Sequence, residues 1–110
     1  MTLVQMIKKL QLALNVKGEH ILLTTSQFYS VEQNRPVTCF HVKKAIIDEE
    51  SGKSRKDSIE LFSTYSRIQV LFFLRDYLYE LEGREVPTDN PLWNEAKDKY
   101  YKKLNKGGDR

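Results

Sequence analysis

The chain holds one cysteine, Cys39, in 110 residues. That excludes an internal disulfide and any zinc site built from several cysteines, and Cys39 is expected to be a small hydrophobe in a strand. Histidine is almost as scarce: His20 and His41 are alone, and without acids at a fixed spacing they make no metal-ligand set. Gly18, Gly52 and Gly83 are isolated from one another, so no phosphate-cradling loop is present. No apolar run approaches the ~20 residues that span a bilayer, because Arg75 and Asp76 interrupt the greasiest stretch. Lys8 and Lys9 sit inside the N-terminal apolar pattern rather than ahead of it, and no small-residue cleavage site follows. The N-terminus therefore does not read as a signal peptide, and a cytoplasmic protein is expected. No internal repeat or low-complexity run occurs.

The charge excess is small and local. The net charge is +3; residues 1–90 hold 12 Lys plus Arg against 12 Asp plus Glu, and residues 91–110 hold 6 against 3. Nucleic-acid binders concentrate bases on one face, which this distribution does not do by itself. With 40% apolar and 30% charged residues, the composition is that of a globular protein with one hydrophobic core. A single domain over residues 1–106 is expected, with a flexible tail at 107–110.

The stretch Ser66 to Leu81 organises the rest. Ser66 with Gln69 has capping-box spacing, and Gly83 is placed to close the helix C-terminus. At 100° per residue, Val70, Leu71, Leu74, Tyr77, Leu78 and Leu81 share one broad face, and Ile68, Phe72 and Tyr79 form a second strip nearly opposite. Arg75 and Glu82 occupy one polar seam, Asp76 and Glu80 the other. Such a helix requires protein on two sides.

Upstream, Thr2 and Gln5 repeat the capping-box spacing, and Leu3, Met6, Ile7, Leu10 and Leu14 recur at helical intervals, with an exit at Asn15 to Gly18. His20 to Ser30 is rich in β-branched and aromatic residues and reads as a strand. The polar connection Glu32 to Pro36 implies a hairpin. Val37 to Ile47 alternates, with Thr38, Phe40, Val42 and Ile46 on one face and Cys39, His41 and Lys43 on the other. Asp48 to Lys56, around Ser51 and Gly52, is a charged turn. Ser58 to Thr64 supplies a third strand in which Phe62 obscures the side that faces the core. After a polar link, Asn90 and Pro91 start a last helix with a Trp93, Ala96, Tyr100 and Leu104 stripe and a lysine-rich end. The order α-β-β-β-α-α defines an α+β fold: a three-stranded antiparallel meander packed against the central buried helix, with N- and C-terminal helices covering it.

Phe62-Ser63-Thr64-Tyr65-Ser66 through Leu71-Phe72-Phe73-Leu74-Arg75-Asp76, then Gly83-Arg84-Glu85-Val86-Pro87, and Thr25-Ser26-Gln27-Phe28-Tyr29-Ser30 together resemble small uncharacterised proteins of Gram-positive phages and conjugative elements. The resemblance covers about the middle two thirds of the chain. It implies a bacterial cytoplasm and an accessory role in a mobile element, and carries over no functional residue.

Candidate chemistry is thin. A nucleophile at Cys39 or a serine beside His41 has no identifiable orienting acid. Asp48, Glu49, Glu50, Asp57 and Glu60 with Lys53 and Lys56 superficially suggest a metal-dependent nuclease, but an exposed hairpin does not converge its carboxylates. Two binding surfaces remain. One is basic, from Arg35, Lys43, Lys44, Lys53, Arg55, Lys56, Lys99, Lys102 and Lys103, with Tyr29, Tyr65 and Tyr101 as stacking faces. The other is apolar, from Phe28, Phe62, Phe73 and Tyr79 beside two open sheet edges. The expectation is a non-enzymatic accessory or regulatory module without cofactor, acting through a protein partner or self-association. Nucleic-acid binding is the alternative and a metal-dependent nuclease the third reading.

Overall fold

The computed structural model describes residues 1–99, with residues 54–56 described by their backbone alone. Helix α1 (Leu3–Val16) leads into β1 (Ile21–Ser30), β2 (Arg35–Ile47), β3 (Ser54–Thr64) and α2 (Arg67–Leu81). A third helix, α3, occupies residues 92–99. The strands form one antiparallel sheet in the order β1-β2-β3, so the α+β class and its element order are as expected. Tyr100, Tyr101, Lys102, Lys103, Leu104 and the expected tail lie outside the described residues.

Both long helices stop where glycine permits. At the end of α1, Gly18 has φ +89°, its N–H donates to the Asn15 carbonyl and that of Glu19 to Leu14. At the end of α2, Gly83 has φ +72°, with Gly83 N–H on Glu80 and Arg84 N–H on Tyr79. Each is the paired Schellman closure that only a left-handed residue completes. Thr2 and Gln5 make the reciprocal capping box of α1. Ser66 is the N-cap residue of α2 but its side chain caps nothing. Gln69 turns away instead, its Oε1 accepting from the Asn90 side chain at 3.3 Å.

The core gathers Ile7 and Leu14 of α1, Ile21, Val42 and Leu61 of the sheet, Val70, Phe73, Leu74 and Tyr77 of α2, and Trp93 and Ala96 of α3. Phe73 stacks on Phe62 with ring centroids 4.8 Å apart. Tyr77 stacks on Trp93 at 3.7 Å, and Trp93 also meets Phe73 edge-on. A β-bulge explains why both Leu61 and Phe62 contribute. Val42 faces Phe62 but Lys43 faces Glu60, so Leu61 is the extra residue that breaks strict alternation. β3 also begins four residues earlier than its apolar pattern implies, because Ser54 pairs with Ile47 at the end of β2 across a second register shift.

Helix α2 is buried on one side, not two. Ile68 is 40% exposed and Leu81 41%, while Phe72 and Tyr79 are half-buried. Their outer faces carry guanidinium groups: Arg75 lies 4.8 Å from the Phe72 ring centroid and Arg84 3.9 Å from that of Tyr79. A cation over a ring covers apolar surface without a second protein layer. The larger correction concerns Asp76, which sits in no wet seam but is fully buried. Its Oδ1 accepts from Arg75 Nε and Nη2 at 3.2 and 3.0 Å, and its Oδ2 accepts the Leu92 backbone N–H at 2.9 Å. Asp76 thus caps the first turn of α3 from inside α2, where a carboxylate satisfies an orphan N–H and suits the helix dipole. Asp89 holds Arg75 from the other side. The two bonded carboxylates keep the guanidinium above its usual range although burial alone would lower it.

Glu19 ties α2 to the sheet one residue further along, at Tyr77. It accepts from Lys44 Nζ at 2.7 Å and from the Tyr77 hydroxyl at 2.6 Å. Burial, the largest influence, would raise its carboxyl. The hydrogen bonds from Lys44 and Tyr77 and the charge of Lys44 outweigh it and hold the group below the usual range.

Candidate association surface

Strand β1 is the edge of the sheet and is exposed along almost all of its length. The Ala45 N–H donates to the His20 carbonyl at 2.8 Å. By antiparallel alternation, the even-numbered residues of β1 therefore turn their backbone groups to β2, and Ile21, Leu23, Thr25, Gln27 and Tyr29 turn theirs outward. Helix α1 satisfies the first of these: Ile21 N–H donates to Asn15 Oδ1 at 2.9 Å, and Gln11 Nε2 donates to the Ile21 carbonyl at 2.8 Å. Leu23, Thr25, Gln27 and Tyr29 remain as an open row of donors and acceptors.

Proteins usually blunt such an edge with charge, proline or a bulge. Ile21 to Ser30 contains no charged residue and no proline, and its ten pairs with β2 run in unbroken register. β3, the other edge, has two register shifts and carries Arg55, Lys56, Asp57 and Glu60. Pro36 is tolerated inside β2 because β3 pairing begins only at Phe40, leaving that end of β2 without a second neighbour. The β1–β2 hairpin consequently overhangs. Phe28 is 48% and Tyr29 60% exposed, and Val31 is more exposed still. Phe28 meets Tyr65 edge-on at 6.0 Å, beside a groove of about 600 Å³ that Arg35, Val37 and Phe40 also line. On the helix side of β1 lies a smaller hollow of about 200 Å³, walled by Val4, Ile7, Leu23, Thr25, Phe40 and Val70.

Of the four aromatics expected to form an apolar interface, only Phe28 lies on this surface. Phe73 is fully buried, Phe62 is half-buried against it, and Tyr79 lies under Arg84 on the far side of α2. The basic residues do not converge. Arg35 and Lys53 lie at opposite ends of β2, roughly 40 Å apart at ~3.3 Å per residue. Lys43 stands on the outer sheet face, and Lys44 is held by Glu19. Lys99 borders a hollow of about 460 Å³ between β3 and α3 that Glu60 and Glu95 also line. The side chains of Arg55 and Lys56, and all of Lys102 and Lys103, lie outside the described residues. The acids of the β2–β3 turn do not converge either. Asp48 organises that turn, accepting the Glu50 N–H and the Ser51 hydroxyl. Among the described residues no three His, Cys, Asp or Glu side chains gather as a metal site, and no helix is long and apolar enough to cross a membrane.

One constellation escapes the linear sequence. On the outer sheet face, Ser26 Oγ lies 2.8 Å from His41 Nε2, and His41 Nδ1 lies 2.5 Å from Glu60 Oε1. A carboxylate only accepts, so Nδ1 carries the proton; Nε2 is left to share the Ser26 hydroxyl, as acceptor from a neutral ring or donor from a charged one. The order matches a nucleophile, base and acid relay. Its setting is an open sheet, however: none of the hollows described above is lined by Ser26, and the neighbouring even-numbered N–H groups are engaged with β2. The three side chains link the three strands across their outer face. Cross-strand register is the missing signal, since the residues are separated by 15 and 19 positions in the chain.

Comparison with protein-family models, curated proteins and solved structures finds no match to this chain.

Proposed function

We propose that this protein is a non-enzymatic binding module that associates with protein by adding a strand to the open edge of β1. The observation that carries the reading is the edge itself. The strand is ten residues long, unbroken and without charge or proline; its edge is open from Leu23 to Tyr29, with Phe28 and Tyr29 exposed on it and Val31 exposed just beyond. Strand addition supplies main-chain hydrogen bonds, and alternate side chains select the partner. A nucleic-acid surface lacks comparable support, because the described bases are dispersed and interleaved with acids. Hydrolysis at Ser26 lacks an enclosing pocket and a donor pair for an oxyanion.

A peptide with the sequence His20–Val31, titrated into dilute ¹⁵N-labelled protein, tests the reading. The outward amides of Leu23, Thr25, Gln27 and Tyr29 are expected to shift and gain exchange protection while those of α2 do not move. Thr25→Pro should abolish the effect without unfolding the chain, since proline removes an outward N–H and no bond of the β1–β2 ladder. No response at these amides, or a salt-sensitive response to duplex DNA at Arg35, Lys43 and Lys53 instead, overturns it.

A further inference from the structure

The open edge of β1 is complementary to itself, and we infer that its occupant is β1 of a second copy, joined about a two-fold axis through Ser26 into one six-stranded antiparallel sheet. The inference rests on the edge-binding reading and names its partner. Only outward-facing residues can exchange backbone hydrogen bonds across the new seam. The register that uses all four open positions pairs Leu23 with the partner's Tyr29 and Thr25 with the partner's Gln27. A shift of two residues in either direction leaves open positions unpaired or runs onto Ile21, which Asn15 and Gln11 already close. Helix α1 thus sets the register as well as the limit of pairing.

Four further features fit a second copy. The seam joins uncharged strands, so a two-fold pairing brings no like charges together. Each hairpin overhangs its own helices at the end where Tyr29 lies, whereas the Leu23 end is backed by α1. Antiparallel pairing therefore lays the bare half of one strand beside the helix-backed half of the other. On the helix side, the partner's Tyr29 arrives next to Leu23, at the apolar hollow walled by Val4, Ile7 and Val70. At about 200 Å³ that hollow exceeds the ~150 Å³ cavity known to hold a benzene ring. On the outer face, Ser26 meets the partner's Ser26. The Glu60, His41, Ser26 chain of hydrogen bonds thereby becomes one polar track across six strands, and a shifted register interrupts it.

The test is cysteine cross-linking in a Cys39→Ser background, necessary because Cys39 faces Ser26 in the sheet, combined with sedimentation velocity of the full chain. Ser26→Cys lies on the axis in a non-hydrogen-bonded pair, where Cα atoms approach to about 4.5 Å and a disulfide closes. Thr24→Cys is equally exposed on the same face but faces the partner's Phe28, about 13 Å along the strand from its own copy. A sedimenting dimer with rapid disulfide formation by Ser26→Cys, at least about tenfold faster than by Thr24→Cys, is expected. Equal rates at both positions, or a dimer that forms no bond through Ser26→Cys, overturn the register. A chain that stays monomeric yet still protects its edge amides with the His20–Val31 peptide overturns self-pairing and leaves the edge-binding reading standing. A monomer inert to that peptide removes both.

Discussion

Asp76→Asn keeps the shape of a side chain that is, among the described residues, the one fully buried charged group, and should be strongly destabilising. The carboxylate accepts on both oxygens, from Arg75 on one and from the Leu92 N–H on the other. An asparagine has one acceptor and must point its NH₂ at one of these donors. The less costly rotamer keeps oxygen on Leu92, because Arg75 retains Asp89 at 3.1 Å. Losing a charge-assisted hydrogen bond costs about 1.5–3 kcal/mol, and a broken buried ion pair about 3–5 kcal/mol. Asp76→Asn is therefore expected near 2–4 kcal/mol and Asp76→Ala at the upper end of that range. Asp89 is 62% exposed on the same guanidinium, so Asp89→Asn should cost less than about 1 kcal/mol. Urea denaturation followed by fluorescence of Trp93, the single tryptophan, reads all three, since Trp93 stacks on Tyr77 beside the altered site. An Asp76→Asn variant within about 0.5 kcal/mol of the parent would refute the role given to Asp76 in joining α2 to α3.

Leu74 is fully buried, so Leu74→Ala should cost about 2–5 kcal/mol in the same titration, whereas Ile68→Ala on the outer strip should cost under about 1 kcal/mol. Equal losses would restore two-sided burial of α2. Glu19→Gln should destabilise the chain at neutral pH by about 1–3 kcal/mol. Because the folded state holds the Glu19 carboxyl below its usual 4.5, its contribution is full above that pH and disappears as pH falls through the lowered value. The gap between parent and variant should therefore close in acid; a gap that widens there contradicts the assignment. Gly83→Ala, at φ +72° with open space around the position, should lower stability by about 1 kcal/mol through backbone strain alone.

The sequence makes local punctuation legible and leaves long-range partnerships hidden. Thr2 with Gln5, Gly18 and Gly83 act through neighbours a few residues away, so their spacing announces the helix ends. The Ser66 and Gln69 spacing is equally suggestive, but Gln69 bonds Asn90 from a different element. Asp76 falls in a polar seam of the helical wheel because periodicity sorts charge away from the apolar faces. Its burial depends on a backbone N–H sixteen residues later. Phe62 and Leu61 defeat the period-two rule through a bulge, and bulges leave no composition signal. The apolar strip of Ile68, Phe72 and Tyr79 read as a buried face because a helical wheel cannot register arginines folding over it. The relay of Ser26, His41 and Glu60 needs the register of three strands, while the uncharged run of β1 stood plainly in the sequence. What that run lacked was the knowledge that it forms an edge.

Amide exchange in the full chain at two protein concentrations tests that edge most directly, with the even and odd residues of β1 read separately. The account predicts that Leu23, Thr25, Gln27 and Tyr29 exchange quickly when dilute and slow by at least about tenfold when concentrated. Leu22, Thr24, Ser26 and Phe28, already bonded to β2, should hold a constant rate. Fast exchange of the odd set at every concentration, or equal slowing of both sets, would contradict it.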